Sequence, residues 1–308
     1  MRGRARLTVL CWHNVEGTWC FPSPPGAGLR GLERQFRLLR RVARVVPLSE
    51  ALDDFAAGRS IGARNVALTF DDGYADQLEL AVPLLERLEL PATFFLVPGL
   101  LSGTVRPWWE VAGWAFARCR RQRLSWEGQE LDVSTPELRR AAYKRVGERL
   151  KRRDRAARES AVDHLVELLD PKGDPGDDRL FFDWDGARSL VRRGFAAESH
   201  SLNHAILSQE TPQEQERDLN ESRRRLREAL GVAADLVAYP NGTIRDYSAA
   251  TVSAAEAAGY QFAFTMRSGM HTAASAPYEV RRVPMTPLSG LRAARWSLQD
   301  ALADGRGR

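Results

Sequence analysis

Seven short runs rich in β-branched and aromatic residues punctuate the chain: LTVLCW (7–12), VALTF (66–70), ATFFLV (92–97), GFAAES (194–199), LVAYP (236–240), FAFT (262–265) and EVRRV (279–283). Between them lie amphipathic stretches of helical period, among them ADQLELAVPLLERLEL (75–90), DWDGARSLVRRG (183–194), TPQEQERDLNESRRRLREALG (211–231) and DYSAATVSAAEAAGY (246–260). Strands alternating with helices of this length imply parallel pairing through crossover connections. Seven strands suit a closed or nearly closed α/β barrel of parallel strands better than an open sheet. One segment breaks the rhythm. From about Pro107 to Asp178 there is no convincing strand, only helical and basic pattern ending in DPKGDPGDD. We read residues 1–308 as a single domain with a basic helical insertion at about 107–180, closed by a Gly/Pro/Asp loop. The C-terminal PLSGLRAARWSLQDALADGRGR (287–308) reads as a final helix with a frayed tail.

Composition narrows the class. With 44% hydrophobic and 28% charged residues, the 308-residue chain is expected to be a soluble globular protein. No apolar run approaches the roughly 18 residues of a membrane span. The N-terminal MRGRARLTVLCWHNV sets basic residues before a short apolar run that meets His13 at once, so it reads as a first strand rather than a signal peptide, and the expected location is cytoplasmic. Three cysteines, Cys11, Cys20 and Cys119, form no CxxC pair and no disulfide framework. The net charge of +5 is concentrated in ARCRRQR (117–123) and LRRAAYKRVGERLKRRDRAARES (138–160). No nucleic-acid motif accompanies these arginines, so no nucleic-acid partner is expected. A solvated helix face is the simpler account of them, and contact with an anionic membrane surface, without an integral span, is the alternative.

In α/β barrels, reactive groups gather at the carboxyl ends of strands. The stretch NVALTFDDGY (65–74) ends an apolar run in two adjacent acids, whose like charges repel in a place poor in water. His13 follows the first strand, and His200 follows GFAAES. In ESHSLNHAILS (198–208), His200 and His204 are four residues apart, a spacing that puts two imidazoles on one face of a helix or helical turn. Two histidines and one carboxylate with an open position form a known zinc hydrolase pattern. One acid of the doublet can then ligate a divalent cation while its neighbour serves as general base on water. Gly73 permits the tight turn this needs. The structural alternative is that the doublet caps helix 75–90, since Asp is favoured at that position.

TFDDG (69–73) followed by HSLNH (200–204) resembles the polysaccharide deacetylases, the NodB-homology group also called carbohydrate esterase family 4. The resemblance covers most of the chain outside the insertion. It implies a distorted (β/α) barrel with fewer than eight regular units, and metal-dependent hydrolysis of an N-acetyl group from an amino sugar. By that resemblance Asp71 is the catalytic base, while Asp72, His200 and His204 hold a divalent metal, zinc first, with cobalt or nickel as alternatives. LVAYPNGTIRDYS (236–248) resembles the family's third motif, which assigns the Asn241 backbone N–H to the oxyanion.

Two departures from the family pattern stand out. Where many members carry R-x-P, with an arginine orienting the base, this chain has Ala238-Tyr239-Pro240, and Arg281 or Arg282 is the expected substitute. Many members end in L-x-H, whose histidine is the general acid. Here only His271 follows the second motif, and LCWHNV (10–15) instead resembles a subgroup in which a first-strand histidine, His13, fills that role. Tyr74, Tyr239, Trp108, Trp109 and Arg282 complete the expected substrate contacts, the two tryptophans as an aromatic surface for a sugar ring. The expected partner is an N-acetylated oligo- or polysaccharide, free or lipid-linked, in exopolysaccharide or cell-envelope glycan biosynthesis. Alternatives are a hydrolase of non-sugar C–N amides and a carbohydrate-binding protein that kept the fold without turnover.

Overall fold

The computed structural model describes residues 6–22, 27–57, 59, 64–175, 180–272 and 275–286. The final helix expected at 287–308 lies outside them. The chain divides into two compact units, one of Met1–Glu16, Ser23–Thr104 and Leu180–Arg308, the other of Gly17–Pro22 and Val105–Arg179.

The first unit is built on a curled, mostly parallel sheet. Its strands are β1 (Arg6–Trp12), β2 (Asn65–Asp72), β3 (Thr93–Leu96), β4 (Ala196–Ser199), β5 (Leu236–Ala238) and β6 (Phe262–Phe264), paired in that order and all parallel. A seventh strand, β7 (Val283–Pro284), pairs in parallel with Leu10 and Cys11 of β1. Three residues earlier, Val280 bridges Phe264 of β6 in parallel. One short segment thus touches the first and last strands and draws the sheet around as a distorted (β/α) barrel. Helices Gly28–Val42, Leu48–Ala56, Trp184–Arg192, Pro212–Leu230 and Ala249–Ala257 fill the connections. The stretch after β2 is less regular than its pattern suggests: a π-turn over Gln77–Ala81 precedes helix Val82–Arg87. Pro83 has no N–H for the preceding turn, which is where the ladder widens.

β2 is buried along its whole length, as a parallel strand covered on both faces should be. The pleat sends alternate residues to two cores. Leu7, Val9, Ala67, Phe95, Ala238, Phe264 and Val280 pack together inside the curl. On the helix side, Phe70 stacks on Phe94 at 4.9 Å and on Trp12 at 5.7 Å, with Phe36 edge-on to Phe70. Asp71 lies in phase with Ala67 and Thr69 and therefore points inward.

The second unit is helical with one hairpin. Helix Trp108–Ala117 is buried at nearly every position and packs with helices Pro136–Leu150 and Arg155–Leu169. The sequence pattern predicts no strand here, yet Arg123–Trp126 and Gln129–Asp132 pair antiparallel. Leu124, Trp126 and Leu131 alternate inward, and Glu127 and Gly128 both adopt positive φ (48° and 73°), as a two-residue hairpin turn of this hand requires. Four-residue strands with charged outer positions are too short to register against a basic background. Many of the unit's cations meet acids: Arg149 and Arg153 reach Glu127, Arg106 reaches Asp163, and Lys151 reaches Glu148 at 3.3 Å. Among the described residues, no helix is long and apolar enough to cross a membrane.

Phe70 holds the aromatic stack of the first unit together. Phe70→Ala should cost about 3–5 kcal/mol of stability, read by urea denaturation.

Candidate active site

The doublet ends β2, and its two members serve different neighbours. Asp71 pairs across to Phe95, Asp72 to Leu96. Regular pleating would send them to opposite faces, but Asp72 takes φ 76° and Gly73 φ 83°, which turns the second carboxylate back toward the first. Both acids are essentially without solvent contact, and neither caps the following helix. The capping alternative is thereby set aside.

Asp71 is gripped by Arg282, whose two terminal nitrogens each donate to one carboxylate oxygen at 2.7 Å. Arg282 has no solvent exposure and lies in the segment that closes the sheet, between Val280 and β7. Its Nε donates to the Thr265 carbonyl at 3.3 Å, and its guanidinium lies 5.4 Å from the Phe95 ring centre. Burial pushes the Asp71 carboxyl up, but Arg282, aided by His200, holds it below the ordinary 3.8. Arg282, expected among the substrate contacts and as a substitute for the arginine that the Ala238-Tyr239-Pro240 stretch lacks, is sealed inside the barrel as the partner of Asp71.

Asp72 faces the two histidines. Its Oδ1 is 3.3 Å from His200 Nε2 and 3.3 Å from His204 Nε2. The sequence spacing suggested one helical face, but residues 200–206 form no helix. Ser201 and His204 adopt φ 62° and 49°, and this left-handed loop brings the rings to 5.0 Å between centroids. Asp218, buried on helix Pro212–Leu230, holds the loop by accepting from the Leu202 N–H at 2.7 Å and the Asn203 N–H at 3.2 Å. Nothing in the two motifs announces Asp218. Its one signal is an acid in phase with core-facing Gln215, Leu219, Ser222 and Leu226.

Do these residues suit a cation? His200 Nδ1 lies 2.8 Å from the Ala238 carbonyl, which can only accept, so in the neutral ring Nε2 presents its lone pair toward Asp72. Asp72 Oδ1 is buried and accepts no hydrogen bond. An orphaned carboxylate oxygen facing two imidazole nitrogens, all three atoms within 4.8 Å of one another, is a set that positive charge would satisfy. Burial disfavours charge on His200, but Asp71 and Asp72 raise its pKa, whereas for His204 burial prevails and lowers it. One oxygen and two nitrogens fit a zinc-like divalent ion.

His13 stands at the end of β1, half-buried, with a ring nitrogen within 4.8 Å of both an Asp71 oxygen and the Cys11 sulfur. Burial raises the Cys11 thiol well above its ordinary value, so it stays neutral there. His271 is at the opposite end of the sheet, where it pairs with Leu7 at the start of β1 and packs against Phe55. Burial drops it to about 4. Asn241 follows β5, with φ 57°, next to Gly242 at φ 59°; a side chain at Gly242 would come within 2.8 Å of the Met266 backbone nitrogen.

The remaining expected contacts fall elsewhere. Tyr239 points outward into the cluster of Leu207, Leu219 and Ala255 and stacks on Tyr247 at 5.1 Å, without solvent exposure. Tyr74 is buried against Phe181 at 4.5 Å. Trp108 and Trp109 are only 7% and 6% exposed in the second unit. They anchor its central helix instead of offering an open aromatic face to a sugar.

The polysaccharide deacetylase family model matches residues 59–263, more than half of the chain. The chain belongs to the polysaccharide deacetylase family. YxkH of Bacillus subtilis (strain 168), which carries the polysaccharide deacetylase name, is 28% identical over 100 residues, or 32% of this chain and 35% of that one, so the match spans about a third of the relative. Among solved structures, deacetylase PplD of Streptococcus pyogenes, in complex with acetate, superposes with a TM-score of 0.63 at 14% identity, covering 97% of this chain and 99% of that one. IcaB from Ammonifex degensii follows at 0.58 and 22% identity, covering 96% and 98%. A de-N-acetylase from Aggregatibacter actinomycetemcomitans gives 0.58 and 16%, covering 95% and 99%. At these identities the likeness is one of fold. This member of the family takes the arginine for its TFDDG acid from the far end of the sequence.

Arg282→Met should orphan the buried Asp71 charge and cost about 3–5 kcal/mol in urea denaturation, most of it recovered when Asp71 is also replaced by Leu. The folded pKa of Asp71 is lowered, so its contribution is present above the ordinary 3.8 and lost as pH falls through the folded value. Arg282→Met should therefore weaken the acid-side loss of stability, measured as thermal midpoint against pH.

Proposed function

We propose that the protein is a divalent-metal-dependent deacetylase that removes N-acetyl groups from amino sugars of an oligo- or polysaccharide, in exopolysaccharide or cell-envelope glycan biosynthesis. The observation that carries this reading is the buried meeting of Asp72 with His200 and His204 beside an Asp71 already oriented by Arg282. Asp72, His200 and His204 would hold the metal, which when bound supplies Lewis-acid polarisation of the amide carbonyl and of the attacking water.

The chain's own residues account for the rest. Asp71 is kept ionised and cannot rotate, because both oxygens are tied to Arg282, so it is ready to take a proton from water at neutral pH. As the carbonyl becomes tetrahedral, negative charge grows on its oxygen, and the Asn241 N–H in the positive-φ turn after β5 is the donor assigned to it. Expulsion of the sugar nitrogen requires a proton at that atom. His13, a ring nitrogen within 4.8 Å of an Asp71 oxygen, donates it. The insertion and the barrel are taken together as one deacetylase domain.

Metal-reconstituted protein should release acetate from N-acetylglucosamine oligomers, and both Asp71→Asn and His13→Ala should lower kcat by about 10²–10⁴ without changing bound metal. Equal acetate release by all three proteins would sink the role assignments. Absence of acetate from the wild type, with metal bound, would sink the deacetylase reading.

A further inference from the structure

Just after the doublet, two consecutive side chains hold the turn that carries His13. Gln77 has no solvent exposure, and its Nε2 donates to the His13 carbonyl at 2.5 Å and to the Asp71 carbonyl at 2.6 Å. The same amide thus touches the backbones of the two residues assigned as acid and base. One position earlier, Asp76 Oδ2 accepts from the Val15 and Glu16 N–H groups, each at 2.8 Å. The turn beyond β1 is therefore pinned at two points, by an amide at the His13 carbonyl and by a carboxylate two and three residues further on. Gln77 opens the π-turn Gln77–Ala81, an irregularity that widens the helix where its side chain reaches inward.

We infer that Gln77 is a positioning residue that sets the spacing between His13 and Asp71, with Asp76 securing the far side of the same turn. The inference rests on the reading of His13 as general acid. An acid and a base on two different strands have no covalent reason to keep their separation. Beyond the β1–β2 ladder, which ends at Trp12 and Phe70, a shared side-chain donor to both carbonyls ties the two residues, because moving one against the other breaks at least one of its two bonds. A misplacement of about 1 Å is enough to cost on the order of 10²-fold in rate. Burial pushes the Asp76 carboxyl up to about 6, with the two N–H groups opposing, so its ionised grip on Val15 and Glu16 is strongest above that pH.

The test uses the demand of the leaving group for a proton. Departure of a sugar amine needs a general acid, whereas the phenolate of para-nitrophenyl acetate leaves without one. The metal-loaded protein, Gln77→Met, Asp76→Ala and His13→Ala are compared on N-acetylglucosamine oligomer and on the ester, with thermal midpoint and bound metal measured for each. Gln77→Met should lower kcat on the amide by about 10–100-fold, with KM and the ester rate within about threefold of wild type, the pattern also expected of His13→Ala. Asp76→Ala should move the amide-to-ester ratio the same way by a smaller factor, and it decides the matter if Gln77→Met does not fold. Equal losses on both substrates would show a purely structural role and overturn the inference. So would an unchanged ratio in Gln77→Met and Asp76→Ala when His13→Ala shifts it, with the deacetylase reading left standing. If His13→Ala leaves the ratio unchanged, the general-acid reading fails and the inference falls with it.

Discussion

A carboxylate buried within a protein survives only if something inside the protein replaces most of its hydration. For Asp71 that replacement is the two-pronged bond from Arg282. Removing a charge of this size from water costs several kcal/mol, and only good geometry with further hydrogen bonds offsets the cost. Here the geometry comes from the same segment that closes the sheet. Val280 touches the last strand and Val283 the first, and Arg282 lies between them. Closure of the barrel and neutralisation of its buried acid are therefore one structural event. A segment shifted by one residue would turn Arg282 outward and leave Asp71 alone in the core.

The second acid is handled by backbone strain. Of the eight described non-glycine residues with positive φ, four (Asp72, Ser201, His204 and Asn241) stand at or after the carboxyl ends of β2, β4 and β5, and the others lie elsewhere. Left-handed conformations are unfavourable for residues with a side chain and persist where the surroundings over-determine them. Asp218 supplies part of that restraint for the histidine loop, and the tight approach of Gly242 to Met266 supplies it for the Asn241 turn. Of the four, Asp72 and His204 face each other at the site. The family's usual arginine is absent from its motif, yet its charge is present in space. In this chain the cation beside the TFDDG acid comes from a segment far along the sequence.

Much of this is legible in the sequence. Parallel strands buried on both faces read as continuous apolar runs, so β1, β2 and β3 stand out, and polar residues that interrupt such runs at their carboxyl ends mark the site. Asp71, Asp72, His13, His200 and His204 stand at such ends, and the family resemblance implies their expected roles. Other features carried no such mark. Trp108 and Trp109 looked like a sugar platform because a sequence does not say which aromatic faces are covered. Tyr239 alternates outward from β5 and is lost to a helix interface. Asp218 and Gln77 sit in amphipathic helices as ordinary polar residues, and only burial shows that they hold loops.

Local periodicity and the chemistry of a few side chains determined the fold class and the candidate acids and histidines, because both depend on neighbours within a few residues. Tertiary structure decided which carboxylate meets which cation, since Asp71 and Arg282 are 211 positions apart and pair only once the sheet curls closed. It also decided that His13, not His271, stands beside Asp71. Both are histidines near strands, but a parallel barrel gathers its carboxyl ends on one rim, and His271 belongs to the other.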